Sequence, residues 1–351
     1  MKETITLGMD LGDRKSMICE LDAQGQQVSM QSVSTTAAGL RKYLRDRSNC
    51  LIALEAGTHS AWISRLLDEL GHRVLVGNPR KLRVIWDSDN KQDTRDAEML
   101  ARIARFDPSL LYPIHHRGER AQSRLTIVRA RDSLVRARKV LVGSARGLVK
   151  AQGGRIGSCA AGCFHKRLLA EMPEVLEPAL EPIARSLETM SEQIRHFERQ
   201  IEKLGQEHYP ETQVLRAING VGALTSLAFV LSIEESSRFK KSRQLGPFLG
   251  LTPKRDQSGT TDKPLSITKA GDTYLRRLLV QSAQYILGPF GEDCDLRRHG
   301  LKLAARGDKI AKRRAVVAVA RKLAVLMHSI WKNNSQYDPD YQLRSTERLA
   351  A

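Results

Sequence analysis

Aromatic residues make up only 5% of the 351-residue sequence, too few for a protein that holds single-stranded nucleic acid mainly by stacking bases on aromatic platforms. Cysteine is scarce as well. Cys19, Cys50, Cys159, Cys163 and Cys294 are odd in number and scattered, which argues against a disulfide framework and for a reducing, bacterial-type cytoplasm. Only Cys159 and Cys163 are close together, and no His or Cys pair nearby completes a zinc site. No apolar run approaches the roughly twenty residues needed to cross a bilayer, and the opening MKETITLGMD lacks the layout of a signal peptide. With 41% hydrophobic residues the chain reads as a soluble protein of two or three domains, too long for one ordinary core.

Acidic residues are outnumbered by basic ones, 39 to 57, but not everywhere. The formal net charge is +18, which calls for a polyanionic partner. Residues 1–100 carry 14 Lys+Arg against 14 Asp+Glu, whereas residues 238–351 carry 23 against 10. A neutral region with carboxylates to spare, followed by a basic one, is the layout expected when metal ligands and nucleic-acid grip are divided between domains.

Hydrophobic alternation predicts strands at 4–9, 16–21 and 26–32, a helix over 37–47, a strand at 51–55, a helix over 60–70, a strand at 73–77 and a helix from Asp93. The order βββαβαβα matches an RNase H-like arrangement, a meander continuing into a parallel part with helices on both faces. From Glu119 to Lys150, Ile127, Leu134, Leu141 and Leu148 recur every seven residues. Ile183, Leu187, Met190, Ile194, Phe197, Ile201 and Leu204 form a second seam. Two long helices are expected, as an antiparallel hairpin that also dimerises or as an ordinary bundle. Beyond Tyr209 helices are expected at 223–233, 272–287 and 309–332, with an irregular stretch from Leu251 to Gly271. The predicted domains are 1–110, 111–209 and 210–335, with a tail over 336–351, an α/β domain followed by α-helical ones.

Asp10 ends the first predicted strand, Glu55 ends the fourth, and Asp93 and Asp96 begin a helix. In the meander-plus-parallel topology strands one and four are neighbours, so Asp10 and Glu55 lie side by side, and a helix can bring the other two against them. Four carboxylates so placed repel one another unless cations sit among them, and two Mg²⁺ ions could clamp the attacking and leaving oxygens of a phosphodiester.

The segments ITLGMDLGDRKS, IALEAGTH and NKQDTRDAEMLA resemble the DEDD-type, RuvC-like domain of the bacterial insertion-sequence transposases guided by a bridge RNA. AINGVGALTSLAFVL and RQLGPFLGLTPKRDQSGTTDKPLSITKAGDTYLRRLLV resemble their second, serine-bearing domain. The resemblance spans residues 4 to about 330 and implies metal ligation by Asp10, Glu55, Asp93 and Asp96, with Ser258 of the Ser-Gly pair as nucleophile. It further implies donor and target DNA, a structured bridge RNA, a homo-oligomeric dimer or tetramer, sites completed between subunits, and strand exchange through a Holliday-like junction. Taken alone, KRDQSGTT is a polar turn like many others. Gly259 would let the backbone approach a phosphate, and Lys254, Arg255, Lys263 and Lys269 flank it with positive charge.

INGVG (218–222) reads as a helix-hairpin-helix turn in which Gly220 and Gly222 bring backbone N–H groups to a phosphate, or equally as a turn between packed helices. The basic runs 238–243, 276–277 (Arg276 and Arg277) and 309–314 are expected to supply phosphate contacts collectively. Three rivals share some of these features. An actin-like or sugar-kinase-like phosphotransferase would need a second glycine-rich phosphate loop, which the first 110 residues lack. A junction-resolving nuclease needs the carboxylates but no serine, and a non-catalytic nucleic-acid-binding protein needs only the turn and the basic helices.

Overall fold

The computed structural model describes residues 5–82, 92–258 and 261–344; the side chains of residues 258 and 261–264 are outside that description. The chain forms two compact units, Met1–Arg117 and Gly118–Ala351.

In the first unit, β1 (Thr6–Asp10), β2 (Lys15–Leu21) and β3 (Gln27–Ser34) form an antiparallel meander. After α1 (Ala37–Leu44) come β4 (Leu51–Glu55), α2 (Ser60–Glu69), β5 (Arg73–Gly77), the single turn α3 (Pro79–Leu82) and α4 (Asp93–Phe106). The sheet order is β3-β2-β1-β4-β5, and β4 pairs in parallel with both β1 and β5. The period of two along each strand decides what each face carries. Leu7, Met9, Ile18, Ile52 and Leu54 face α1 and α2, where Leu40, Leu44, Ile63 and Leu67 close the core. On the other face Cys19, Leu21 and Ala53 pack under Ala97, Ala101, Leu100 and Ala104 of α4. The sequence predicts this element order, apart from the turn α3.

The second unit opens with α5 (Glu119–Ala151), followed by α6 (Phe164–Glu171) and α7 (Glu177–His208). α5 and α7 run antiparallel, because partners to Arg131 and Arg138 are Glu198 and Ser191, and Ala145 packs with Ala184. The α7 seam is as expected, with Leu187, Ile194 and Ile201 buried. The α5 seam is not. Its buried side chains are Ala121, Leu125, Val128, Ala145 and Val149, while Leu148 is exposed. Ile127, Leu134 and Leu141 are only half-buried, so the fully buried stripe is offset from the heptad, because α6 and the C-terminal core cover the helix along with α7.

α8 (Glu211–Arg216) leads into α9 (Ala223–Ile233), whose residues 225–233 are all buried. Such a helix is apolar all round and can only be central. Around it pack α5, α7, α8, α11 (Thr273–Leu287) and α13 (Lys309–Asn333), with α10 (Leu245–Phe248) and α12 (Asp295–Ala304) completing the unit. The stretch expected to be irregular is instead a β-hairpin, β6 (Pro253–Ser258) and β7 (Thr261–Ile267). Its described side chains are exposed apart from Ile267, which packs on the core at the ribbon base, so burial imposes little alternation on the sequence.

Candidate active site

Register places the first two carboxylates. Gly8 pairs with Ala53 and Met9 with Leu54 in the parallel β1–β4 ladder, so Asp10 and Glu55 follow on adjacent strand ends. Alternation turns both toward the face covered by α4. They line one open pocket of about 380 Å³ with Leu11, Asp13, Ala56, Gly57, Thr58 and His59. Asp10 is half-buried and Glu55 exposed, which suits groups that meet a charged ligand at the surface.

Gly8 controls how α4 reaches that end. A Cβ at Gly8 would stand 2.0 Å from the Ala97 carbonyl oxygen and 2.5 Å from the Ala101 nitrogen, so helix backbone lies directly on strand backbone. At the far end of α4, the Arg105 guanidinium donates to the Ala23 carbonyl, in the β2–β3 turn beside the start of β1. α4 therefore runs opposite to β1 and presents its N-terminus at the Asp10 end. Asp93, exposed, and Asp96, half-buried and next to Ala97, occupy that first turn. The four acids thus share one edge of the sheet, although among the described residues no three His, Cys, Asp or Glu side chains are close enough to hold a metal ion. The donor set is all oxygen, the preference of hard divalent cations. A set left open to solvent fits a cation that also binds a substrate oxygen.

The loop after Glu55 is tightly pinned. The Ser60 hydroxyl accepts from the Gly57 N–H at 2.9 Å, lies 2.8 Å from the Gly57 carbonyl and contacts His116 Nε2 at 2.9 Å. Burial and the nearby Arg65 and Arg117 charges push the His116 pKa down. His59 is held from both sides, its Nδ1 accepting from the Trp62 indole N–H at 3.1 Å and its Nε2 lying 3.3 Å from Asp13 Oδ1. Asp13, His59, Ser60 and Trp62 are not among the candidate residues that the sequence motifs single out. The signal was available in EAGTHSAW, where a polar loop links a carboxylate-tipped strand to a helix.

In the second unit Ser258 is the last residue of β6 and pairs with Thr261. It therefore sits at the tip of a ribbon rather than in an irregular loop. Gly259 lies outside the described residues, as do the side chains of Ser258 and Lys263. Lys254, Arg255 and Lys269 are exposed. Arg276, expected to touch nucleic acid, is 8% exposed and donates to the carbonyls of Leu249 and Ala270 at 2.9 and 2.7 Å. It clamps the hairpin base and is not presented to a phosphate. Arg277 pairs with Asp132 at 2.5 Å and lies over the Tyr274 ring. Gly220 is at φ +86°, and a Cβ there would stand 3.2 Å from Ile286, the Ser282 carbonyl oxygen and Tyr285. It is a packing glycine against α11. Gly222, with nothing within 4 Å of its would-be Cβ, opens α9 and leaves room for a ligand.

Comparison with known proteins finds similarity to insertion-sequence transposases. Residues 7–151 match the DEDD transposase model of the IS110 group, described as "Transposase", and residues 212–290 match "Transposase IS116/IS110/IS902 family". The chain is similar to a "Probable family 20 transposase" of Pseudomonas aeruginosa, 29% identical over 95% of this chain and 98% of that protein. It is also similar to the "Transposase for insertion sequence element IS1111A" of Coxiella burnetii, 26% identical over 96% of this chain and 92% of the relative. The "Transposase for insertion sequence element IS1328" of Yersinia enterocolitica is 28% identical over 81% and 84%.

Proposed function

We propose that this chain, which matches two models of the IS110/IS116 insertion-sequence transposases, cuts and rejoins DNA with two separate sets of groups. Asp10, Glu55, Asp93 and Asp96 form the metal-binding set on an RNase H-like unit, and Ser258 is the nucleophile. The observation that carries this reading is the seating of α4 on Gly8, which brings the helix start with Asp93 and Asp96 to the strand ends with Asp10 and Glu55. Two Mg²⁺ ions bound there would supply Lewis-acid stabilisation of the phosphodiester.

The serine at the ribbon tip attacks phosphorus. Its Oγ–P bond forms, the P–O bond to one DNA segment breaks, and the hydroxyl proton passes to the departing DNA oxygen. The phosphoserine link conserves the bond energy, and a DNA hydroxyl from the exchanging strand reverses the step, releasing Ser258 and joining the new partner. Lys254 and Arg255, exposed on β6, offset the phosphate charge. Strand exchange through a Holliday-like junction follows from two such steps. A structured RNA from the same element pairs with donor and target DNA while the protein reads shape, in a multimer whose carboxylate set and serine come from different subunits.

Glu55→Ala is expected to abolish strand cleavage while nucleic-acid binding persists. Trapping the wild-type reaction under denaturing conditions and mapping the modified peptide should place the DNA on Ser258. Full activity in Glu55→Ala ends the metal assignment, and an adduct on another residue ends the serine assignment.

A further inference from the structure

The carboxylate pocket also holds a group outside the all-oxygen donor set that hard divalent cations prefer, the imidazole of His59. Among the described residues it is the only nitrogen-bearing side chain lining that pocket. An indole N–H can only donate, so the bond from Trp62 to Nδ1 at 3.1 Å makes that nitrogen an acceptor and puts the ring hydrogen on Nε2. The ring plane is fixed too, since Trp62 meets it edge-on at 87° with centroids 6.2 Å apart. The anchoring is continuous with the pinned turn, because Ser60 holds Gly57 and the His59 carbonyl accepts from the Ile63 N–H at the start of α2. The result is one N–H vector, rigidly set at the mouth of an acidic pocket.

What that vector now meets is informative. Nε2 lies 3.3 Å from a carboxylate oxygen of Asp13, whose side chain is 91% exposed. The contact is long, and Asp13 needs only to swing into solvent to release it. The N–H already faces an anionic oxygen that can leave.

We infer that His59 is a phosphate contact, in which Nε2–H donates to a non-bridging oxygen of the scissile phosphodiester, Asp13 holds that position until DNA enters, and Trp62 is the positioning residue that fixes the donating tautomer. This rests on the carboxylate set being the site of strand cleavage. A tautomer that donates without carrying charge suits the place. A lysine or arginine there would pair with Asp10 or Glu55 and compete with cations for them, whereas this ring adds a hydrogen bond and leaves the carboxylate charge in place. It would orient the oxygen that the cations do not hold, which is worth most when the phosphate must be aligned for in-line attack.

The test uses the full chain with its guide RNA and a synthetic duplex of the element's own junction, carrying the scissile phosphate as oxygen or as each phosphorothioate diastereomer. With wild type, one diastereomer should be cleaved slowly in Mg²⁺ and rescued by Mn²⁺ or Cd²⁺, marking the cation-bound oxygen. The other should be slow and unrescued, because sulfur is a poor acceptor for the His59 N–H. His59→Ala should cleave the all-oxygen substrate about 10- to 100-fold more slowly at saturating DNA, with no further loss on the second diastereomer. His59→Gln, whose amide nitrogen reaches the same place, should recover part of that rate. Trp62→Phe keeps the imidazole and should lose less, and nitrogen-15 NMR of the ring should show His59 passing from one tautomer to a mixture. Thermal unfolding checks that each variant folds. Cleavage by His59→Ala within twofold of wild type, or an unrescued thio effect that survives in it, overturns the assignment when Glu55→Ala is inactive. An active Glu55→Ala would instead remove the site reading beneath it.

Discussion

Gly8→Ala tests whether the carboxylate edge depends on backbone contact between β1 and α4. The added Cβ would lie 2.0 Å from the Ala97 carbonyl oxygen, 2.5 Å from the Ala101 nitrogen and 3.0 Å from the Ala101 Cβ. The two nearest atoms are helix backbone, so no flexible side chain can yield. Ordinary contact begins near 3.4 Å, so strand and helix must part by about 1.4 Å, a distance over which the dispersion attraction between them is largely lost. Overpacking of this kind costs about 1–3 kcal/mol. The shift also moves Asp96, next to Ala97, relative to Asp10, well beyond the roughly 0.5 Å within which a preorganised site keeps its function. A misplacement of about 1 Å costs on the order of 10²-fold in rate. Urea unfolding and metal-dependent cleavage of the junction duplex should therefore both suffer. Gly143→Ala, mid-helix in α5 with nothing within 4 Å of the new Cβ, should instead stabilise by up to about 1 kcal/mol. Wild-type stability and cleavage in Gly8→Ala would falsify the idea that this contact sets the site.

Two further perturbations address the second unit. Arg276→Ala should lower stability by about 3 kcal/mol in urea unfolding, since it leaves the Leu249 and Ala270 carbonyls without their charged donor. Arg277→Ala, whose side chain is 41% exposed, should lose no more than about 1 kcal/mol; equal losses would count against the clamp. His328 is fully buried, its Nε2 donating to the Ser236 carbonyl and its Nδ1 accepting from the Ser242 hydroxyl, both at 2.9 Å. Burial pushes its pKa down, partly countered by the Ser236 carbonyl, while the Lys332 charge lowers it further. The unfolded chain then binds more protons than the folded one as pH falls through about 6.5, so stability declines from there downward. His328→Gln should flatten that decline between about pH 6.5 and 5.5, and an unchanged slope in urea midpoints would refute the assignment.

The first unit was readable because its central strands are buried on both faces. Leu7, Met9, Ile18, Ile52 and Leu54 alternate as the core requires, and the acids stand where that alternation ends. The placement of α4 was not readable, since it depends on the missing side chain of Gly8, which a sequence does not distinguish from a turn glycine. In α5 the heptad pointed to Leu148, yet Val149 is buried, because a seven-residue repeat does not show which neighbours will cover a helix. Arg276 shows the same limit for charge. Within a basic run it looks identical to Arg277, and only the loop carbonyls folded around it make it structural. The serine hairpin is not legible because strand pattern is written by burial, and the described side chains of this ribbon are exposed except Ile267.

The paired helices α5 and α7 have a core at each end. Ala121, Leu125, Val128 and Ile201 belong to the core around α9, while Ala145, Val149, Leu180 and Ala184 close a separate one with α6. Between them the pair is held by the buried Ile194 together with polar contacts such as Arg131 with Glu198 and Arg138 with Ser191. At 1.5 Å per residue the 33 residues of α5 span about 50 Å, so the hairpin is a ruler with folded terminals. Its length can change only in matched steps. Removing seven residues from both helices shortens the span by about 10.5 Å and keeps both terminal faces in phase, whereas any unmatched deletion rotates one core against the other. Relatives of different reach are thus expected to differ by paired heptads in this middle stretch, with both terminals intact.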